Sequence, residues 1–263
     1  MNRAVTRKES DANRSRWSMG VEMLTRPYPL SMRVVVSVVV LMVLVPGYLV
    51  IGALTRGWTL HMPELALDRM VPLQPVWSLV YASHLVFLVL PVLVMRQEAQ
   101  IYRTFLAYLM VWSVAYVCFL AYPTILPRPA PKVIGEGFFA WCLGVVYSAD
   151  PPRNNFPSLH VAHAFVSALT CYRVDRGVGI AAGLWAALIA VSTLFTKQHY
   201  VADVIAGILL AWVAYVVFLH RCPRVAMPEA DRRGAPVLVL GLIGIHGFTV
   251  ACFWVAYMIQ HAK

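Results

Sequence analysis

Residues 154–172 read NNFPSLHVAHAFVSALTCY, and the fold turns on whether this stretch is a loop or a helix that enters a membrane. A proline and a serine lead into His160, His163 follows one helical turn on, and the chain then stays apolar to Cys171. Imidazole is costly in hydrocarbon and of little use to a packed core. A stretch that reads as a span yet is headed by two histidines is therefore read as a span and as a functional candidate at once.

The composition decides the first half of that reading. Of 263 residues 60% are hydrophobic and only 13% charged, with a mean hydropathy of +0.69, more apolar surface than a water-soluble domain of this size can bury. Apolar windows of roughly 18 residues or more cross the ~30 Å hydrocarbon layer as helices, and about seven fit here. They are Val34 to Leu54, Val76 to Met95, Thr104 to Tyr122, Phe156 to Tyr172, Val178 to Phe195, Val201 to His220 and Pro236 to Met258. The fourth is the shortest and least apolar. The expected fold is all-α, a polytopic transmembrane helical bundle over 34–263 behind a basic cytoplasmic tail over 1–33, with no second domain and no internal repeat.

The net charge of +10 invites a nucleic-acid reading, but the basic residues are placed as topology signals. Arg7, Lys8, Arg96, Arg103, Arg173, Arg176, Arg221 and Arg224 fall in the alternate segments that an N-inside, C-outside orientation leaves in the cytoplasm. No nucleic acid is expected as a partner. The polar first 33 residues and the length of the first apolar run argue for an uncleaved anchor over a secretion signal. Cys118, Cys142, Cys171, Cys222 and Cys252 are scattered without a CxxC pair, so no disulfide framework or cysteine zinc site is expected.

Ionisable residues then gather at the expected outer face. The proline-rich YPTILPRPAPKVI (122–134) holds its backbone extended and presents Arg128. Downstream, GFFAWCLGVVY (137–147) is apolar but too short to span, and reads as an interfacial lid or re-entrant turn. His160 and His163 head the fourth span, and STLFTKQHYVAD (192–203) joins the fifth to the sixth. His199 and Asp203 are four apart, so on a helix they share a face, where a carboxylate fixes the imidazole tautomer and leaves the other nitrogen free to attack. The bland alternative is a capping histidine beside a surface carboxylate. At His160 the free amides of a helix start and the Ser158 hydroxyl make an anion site, and with Arg128 and Lys197 nearby the anion suits phosphate. The bland alternative there is an ordinary helix boundary. His163 reads foremost as a histidine hydrogen-bonded to a neighbouring helix, with orienting His160 or contacting a head group as the alternatives, and His84 as a hydrogen-bonding packing residue, with lipid binding as the alternative.

This combination resembles the type 2 phosphatidic acid phosphatase superfamily, whose motifs are K-x6-R-P, P-S-G-H and S-R-x5-H-x3-D. PSLH (157–160) matches the second with Leu159 for glycine; Ser192, His199 and Asp203 match the third with Thr193 for arginine; Arg128 and Pro129 fit the first, whose lysine position holds Ala121. The resemblance covers about 100–215 and implies a six-helix phosphatase-like core. It further implies that His199 attacks phosphorus to form a phosphohistidine, Asp203 orients it, His160 protonates the departing oxygen, and Arg128, Ser158 and Ser192 hold phosphate. Lys197 is expected to replace part of the missing positive charge, with His163, Thr193 and Gln198 as supporting candidates and no metal or other cofactor. FPSLHVA and the spacing around His199 are similar to the inositol phosphorylceramide synthase branch, which passes a phospho-head group to a lipid alcohol. Simple hydrolysis of a lipid phosphate is the alternative, and a histidine-ligated metalloenzyme or a lipid carrier the distant ones. Membrane lipids are the expected partners, and a bacterial inner membrane with an extracytoplasmic site the expected location.

Overall fold

A computed structural model describes residues 30–95, 97–222 and 229–262. The expected basic tail lies outside the described residues as far as residue 29. The bundle is built from α1 (Leu30–Leu54), α2 (Ser78–Phe87), α3 (Glu98–Ala121), α4 (Phe138–Ala149), α5 (Leu159–Val174), α6 (Arg176–Phe195), α7 (Val201–Ala214) and α8 (Glu229–His261). A π-helical turn, Tyr215–Leu219, extends α7, and Leu90–Val94 forms a short helix after α2. Pro91 sits in the first turn of that short piece, where its missing N–H costs nothing. Among the described residues six helical stretches are long and apolar enough to cross a membrane: Arg33–Gly57, Pro75–Val94, Glu98–Ala121, Arg176–Phe195, Val201–Leu219 and Leu240–His261.

The expected fourth span, Phe156 to Tyr172, is the helix α5, 16 residues and about 24 Å long at 1.5 Å each. It runs from the Ser158 cap to the opposite end, where Arg173 donates to the Cys222 carbonyl. It is the axis of the bundle. One side packs Leu159, Ala162 and Val166 against Ala107, Val111 and Ala115 of α3 and Leu210, Ala211 and Ala214 of α7. The other packs Ala164, Ala168 and Cys171 against Ala182, Ala186 and Ile189 of α6 and Phe87 of α2. A helix wrapped by protein needs no long lipid-facing stripe, and its alanines let neighbouring backbones approach closely.

Loops at one end of the bundle fix where α5 begins. The Thr124 hydroxyl accepts from the backbone N–H groups of Asn155 and Phe156 at 2.9 and 3.1 Å, and isolated bridges join His61 to Thr124 and Ile125 to Arg153. Ser158 is the N-cap of α5, its Oγ accepting from the Val161 N–H at 3.3 Å. At the far end of the bundle, the Arg33 guanidinium donates to the Val92 and Met95 carbonyls and ties α1 to the Leu90–Val94 turn.

Candidate active site

The start of α7 is built by a reversal of chain direction. Lys197 adopts φ of +50°, and the amides of Gln198 and His199 both reach back to the Thr193 carbonyl, at 2.9 and 3.2 Å. His199 therefore lies before the helix, not on its face as the four-residue spacing suggests. Asp203, in the first turn, accepts the Tyr200 N–H at 2.9 Å as a capping carboxylate. The same Oδ2 lies 3.3 Å from His199 Nδ1. Spacing and contact agree, but the cap produces the contact. Asp203 is fully buried and His199 nearly so.

His160, one residue into α5, meets His199 across the helix pair. Its Nδ1 is 3.3 Å from His199 Nε2, with ring centroids 5.5 Å apart. Two further contacts lie on the other side of the His160 ring: Tyr81 Oη is 2.7 Å from Nε2, and Tyr81 donates to Asp150 Oδ2 at 2.9 Å. Asp150 Oδ2 itself stands 3.9 Å from Nε2, and Tyr48 donates to its other oxygen at 3.0 Å. A row thus runs from Asp203 through His199, His160 and Tyr81 to Asp150. Each contact needs a proton between its atoms; with both carboxylates ionised and both imidazoles neutral, one contact lacks it. The row closes when one more proton sits on His160, so it is arranged to take up and give back a proton there.

Arg128 braces both ends of this row. It donates to the Lys197 carbonyl and the Asp150 carbonyl, each at 2.9 Å, and lies over the Tyr147 ring at 4.6 Å. Burial draws the Arg128 guanidinium below its usual pKa, with Asp150 opposing; burial pushes the Tyr147 phenol up to about 12. Of the five N–H groups of a guanidinium, these two bonds leave others to donate to an anion. The apolar helix α4 that carries Tyr147 packs Phe138 and Trp141 against Phe253, Trp254 and Tyr257 of α8.

The other expected residues divide. Ser158 is buried at the cap described above. The Ser192 and Thr193 hydroxyls donate to the Ile189 and Ala190 carbonyls of their own helix, at 2.6 and 2.7 Å. The Lys197 ammonium donates to the Asp68 and Val71 carbonyls at 3.1 and 2.6 Å, so it holds the 55–75 loop and does not stand beside the histidines. The reason is the left-handed turn at Lys197, whose backbone carbonyl, not its side chain, is what Arg128 engages. Gln198 is buried with both polar side-chain atoms unpartnered. His163 is buried one turn below His160. Among the described residues no group of three or more His, Cys, Asp or Glu side chains is arranged to hold a metal ion.

Three contributors lie outside the motifs: Tyr81 within an apolar helix, Asp150 in the loop before α5, and Asp68 in the 55–75 loop. Asp68 accepts the Val201 N–H at 2.8 Å and the Leu65 N–H at 2.7 Å, pinning the loop to the start of α7. No local spacing signals any of them, since Tyr81 and His160 are 79 positions apart.

Relatives carry part of the same chain. A PA-phosphatase related-family protein of Dictyostelium discoideum is 25% identical over 111 residues, 37% of this chain and 20% of that protein. An uncharacterized protein of Methanocaldococcus jannaschii is 34% identical over 64 residues, 24% of this chain and 26% of that protein. The chain spans about a quarter or less of the length of these curated relatives. No solved structure matches it. The match to the PAP2 superfamily runs over residues 52–217, more than half of the chain, and takes in Tyr81, Arg128, Asp150, His160, His199 and Asp203: the chain belongs to the PAP2 superfamily.

Proposed function

We propose that this chain is an integral membrane lipid phosphatase or phosphotransferase that works through a phosphohistidine on His199. The observation that carries the reading is the pair of 3.3 Å contacts, Asp203 Oδ2 to His199 Nδ1 and His199 Nε2 to His160 Nδ1. With its Nδ1 proton held by Asp203, His199 turns an Nε2 lone pair toward phosphorus. His199 attacks, the P–O bond to the leaving group breaks, and His160 gives its Nδ1 proton to the departing oxygen. A water or a lipid alcohol then loses a proton to His160 and attacks phosphorus, and the N–P bond breaks to restore His199. The 3.3 Å gap leaves no room for a phosphoryl group between the two nitrogens, so substrate parts the rings.

Charge on the phosphoryl oxygens is met by Arg128, by the amides at the start of α5 behind Ser158, and by the unpaired Gln198 amide. Lys197 and Ser192 contribute through the turn they help build. In this reading Arg128 and the helix-start amides carry the charge that a metal would otherwise meet. Transfer of a phospho-head group to a lipid alcohol, as in the inositol phosphorylceramide synthase branch, is favoured by the burial of His199, which limits water. Hydrolysis of a lipid phosphate is the second reading, favoured by the partial exposure of His160.

Purified protein given 32P-labelled lipid phosphates and phosphoinositides, with and without a diacylglycerol or ceramide acceptor, tests both levels. The expected result is an acid-labile phosphoprotein with the label on the His199 peptide, abolished by His199→Ala, and a labelled phospholipid when acceptor is present. Label on another residue would overturn the mechanism; free phosphate alone in the presence of acceptor would overturn transfer.

A further inference from the structure

The imidazole row continues inward from His160. The His84 ring on α2 has its centroid 4.7 Å from that of His160 and 6.1 Å from that of His163, and His163 lies against Trp112 at 5.2 Å and Tyr108 at 5.5 Å. The Nε2 atoms of His84 and His163 are both buried without a hydrogen-bond partner, which is costly for a desolvated polar group. His163, only 4% exposed, also lines a cavity of about 90 Å³ between α1, the Leu90–Val94 turn, α3 and α5. Leu41, Val92, Ile101, Phe105 and Trp112 give it an apolar wall. The wall hydroxyls are already satisfied: Ser37 donates to the Arg33 carbonyl, Thr104 to Met95 Sδ, and Tyr108 and Ser167 bond each other. From Trp112 to Ile101 the wall descends along α3 by about 16 Å, away from the end of the bundle that carries His199.

We propose that this cavity takes an acyl chain of the lipid on which His199 acts, with His163 Nε2 hydrogen-bonded to a polar group of that lipid one helical turn below the reacting oxygen. His160 and His163 are three residues apart on α5, a rise of about 4.5 Å, which matches an ester, amide or second hydroxyl close to a head-group oxygen. Acyl lipids carry such a group. An isoprenyl phosphate does not, since its chain is hydrocarbon directly below the phosphate ester. The cavity is smaller than the ~150 Å³ of an engineered hole that holds benzene, so it takes a stretch of one chain and no head group. The proposal rests on the lipid-phosphate reading above and narrows its substrate class to acyl lipids.

The test uses full-length protein carrying His199→Ala, reconstituted in lipid nanodiscs, with two photoreactive probes: phosphatidic acid bearing a diazirine in its acyl chain, and a polyprenyl phosphate bearing the same group. The acyl probe labels peptides within residues 88–112, and Ser37→Phe, which fills the cavity from α1, lowers that labelling several-fold. His163→Leu weakens the phosphatidic acid probe by about tenfold, the weight of one hydrogen bond, and the polyprenyl probe by less than about twofold, while His163→Gln restores the acyl probe. Acyl labelling confined to other segments, indifference to Ser37→Phe, or equal loss of both probes at His163→Leu overturns the proposal. Since the His199→Ala protein forms no phosphoenzyme, these outcomes are independent of whether His199 is the nucleophile.

Discussion

At the scale of single residues, His160 is set between two partners with opposite demands. On one side its Nδ1 faces His199; on the other, the Asp150 carboxylate 3.9 Å away favours a proton on the ring, against burial and the neighbouring His199, His163 and Arg128, which disfavour it. Removing that carboxylate while keeping its shape moves the balance in a known direction. Asp150→Asn is expected to shift the alkaline limb of the pH profile of kcat/KM to lower pH, because His160 then loses its proton sooner. Phosphate release measured across pH reads this directly, and an unmoved limb would remove Asp150 from the proton row. A residue that merely packed would lower activity at every pH alike.

At the scale of elements, the decisive contact is between α5 and α7. A Cβ added at Gly207 would stand 2.7 Å from the Ser158 carbonyl oxygen, closer than packed atoms approach. The same seam carries the bond from the Ser158 N–H to the Asp203 carbonyl at 3.1 Å. Glycine here brings the two helix starts together, and with them His160 and His199. Gly207→Val is expected to destabilise the protein by about 1–3 kcal/mol and to lower turnover more than that loss of folded protein explains, since it parts the histidines. Turnover per folded molecule, set against the thermal midpoint, separates the two effects. The turn at Lys197 serves the same juncture: its left-handed backbone aims His199 across at α5 and turns the lysine side chain to the 55–75 loop.

At the scale of the whole molecule, the site lies at one end of the bundle, where the 55–75 loop, the proline-rich segment and the starts of α5 and α7 meet. The distribution of basic residues predicts that this end faces outward. In a cysteine-free background, Met62→Cys in the 55–75 loop should react with a membrane-impermeant maleimide on intact cells, and Arg176→Cys, between α5 and α6, only after permeabilisation; the reverse pattern would invert the topology. Hydropathy and the spacing of polar residues made the helical membrane fold, the pairing of His199 with Asp203 and the placing of His160 at a helix start legible in the chain, because these depend on neighbours within a helical turn or on transfer to lipid. Tertiary packing alone decided that α5 is the enclosed axis of the bundle, that Tyr81 and Asp150 back His160, that Lys197 serves a loop, and that His163 overlooks an apolar cavity. Those contacts join residues distant in sequence, and which of them meet is set by how the alanines and glycines of neighbouring helices let their backbones close.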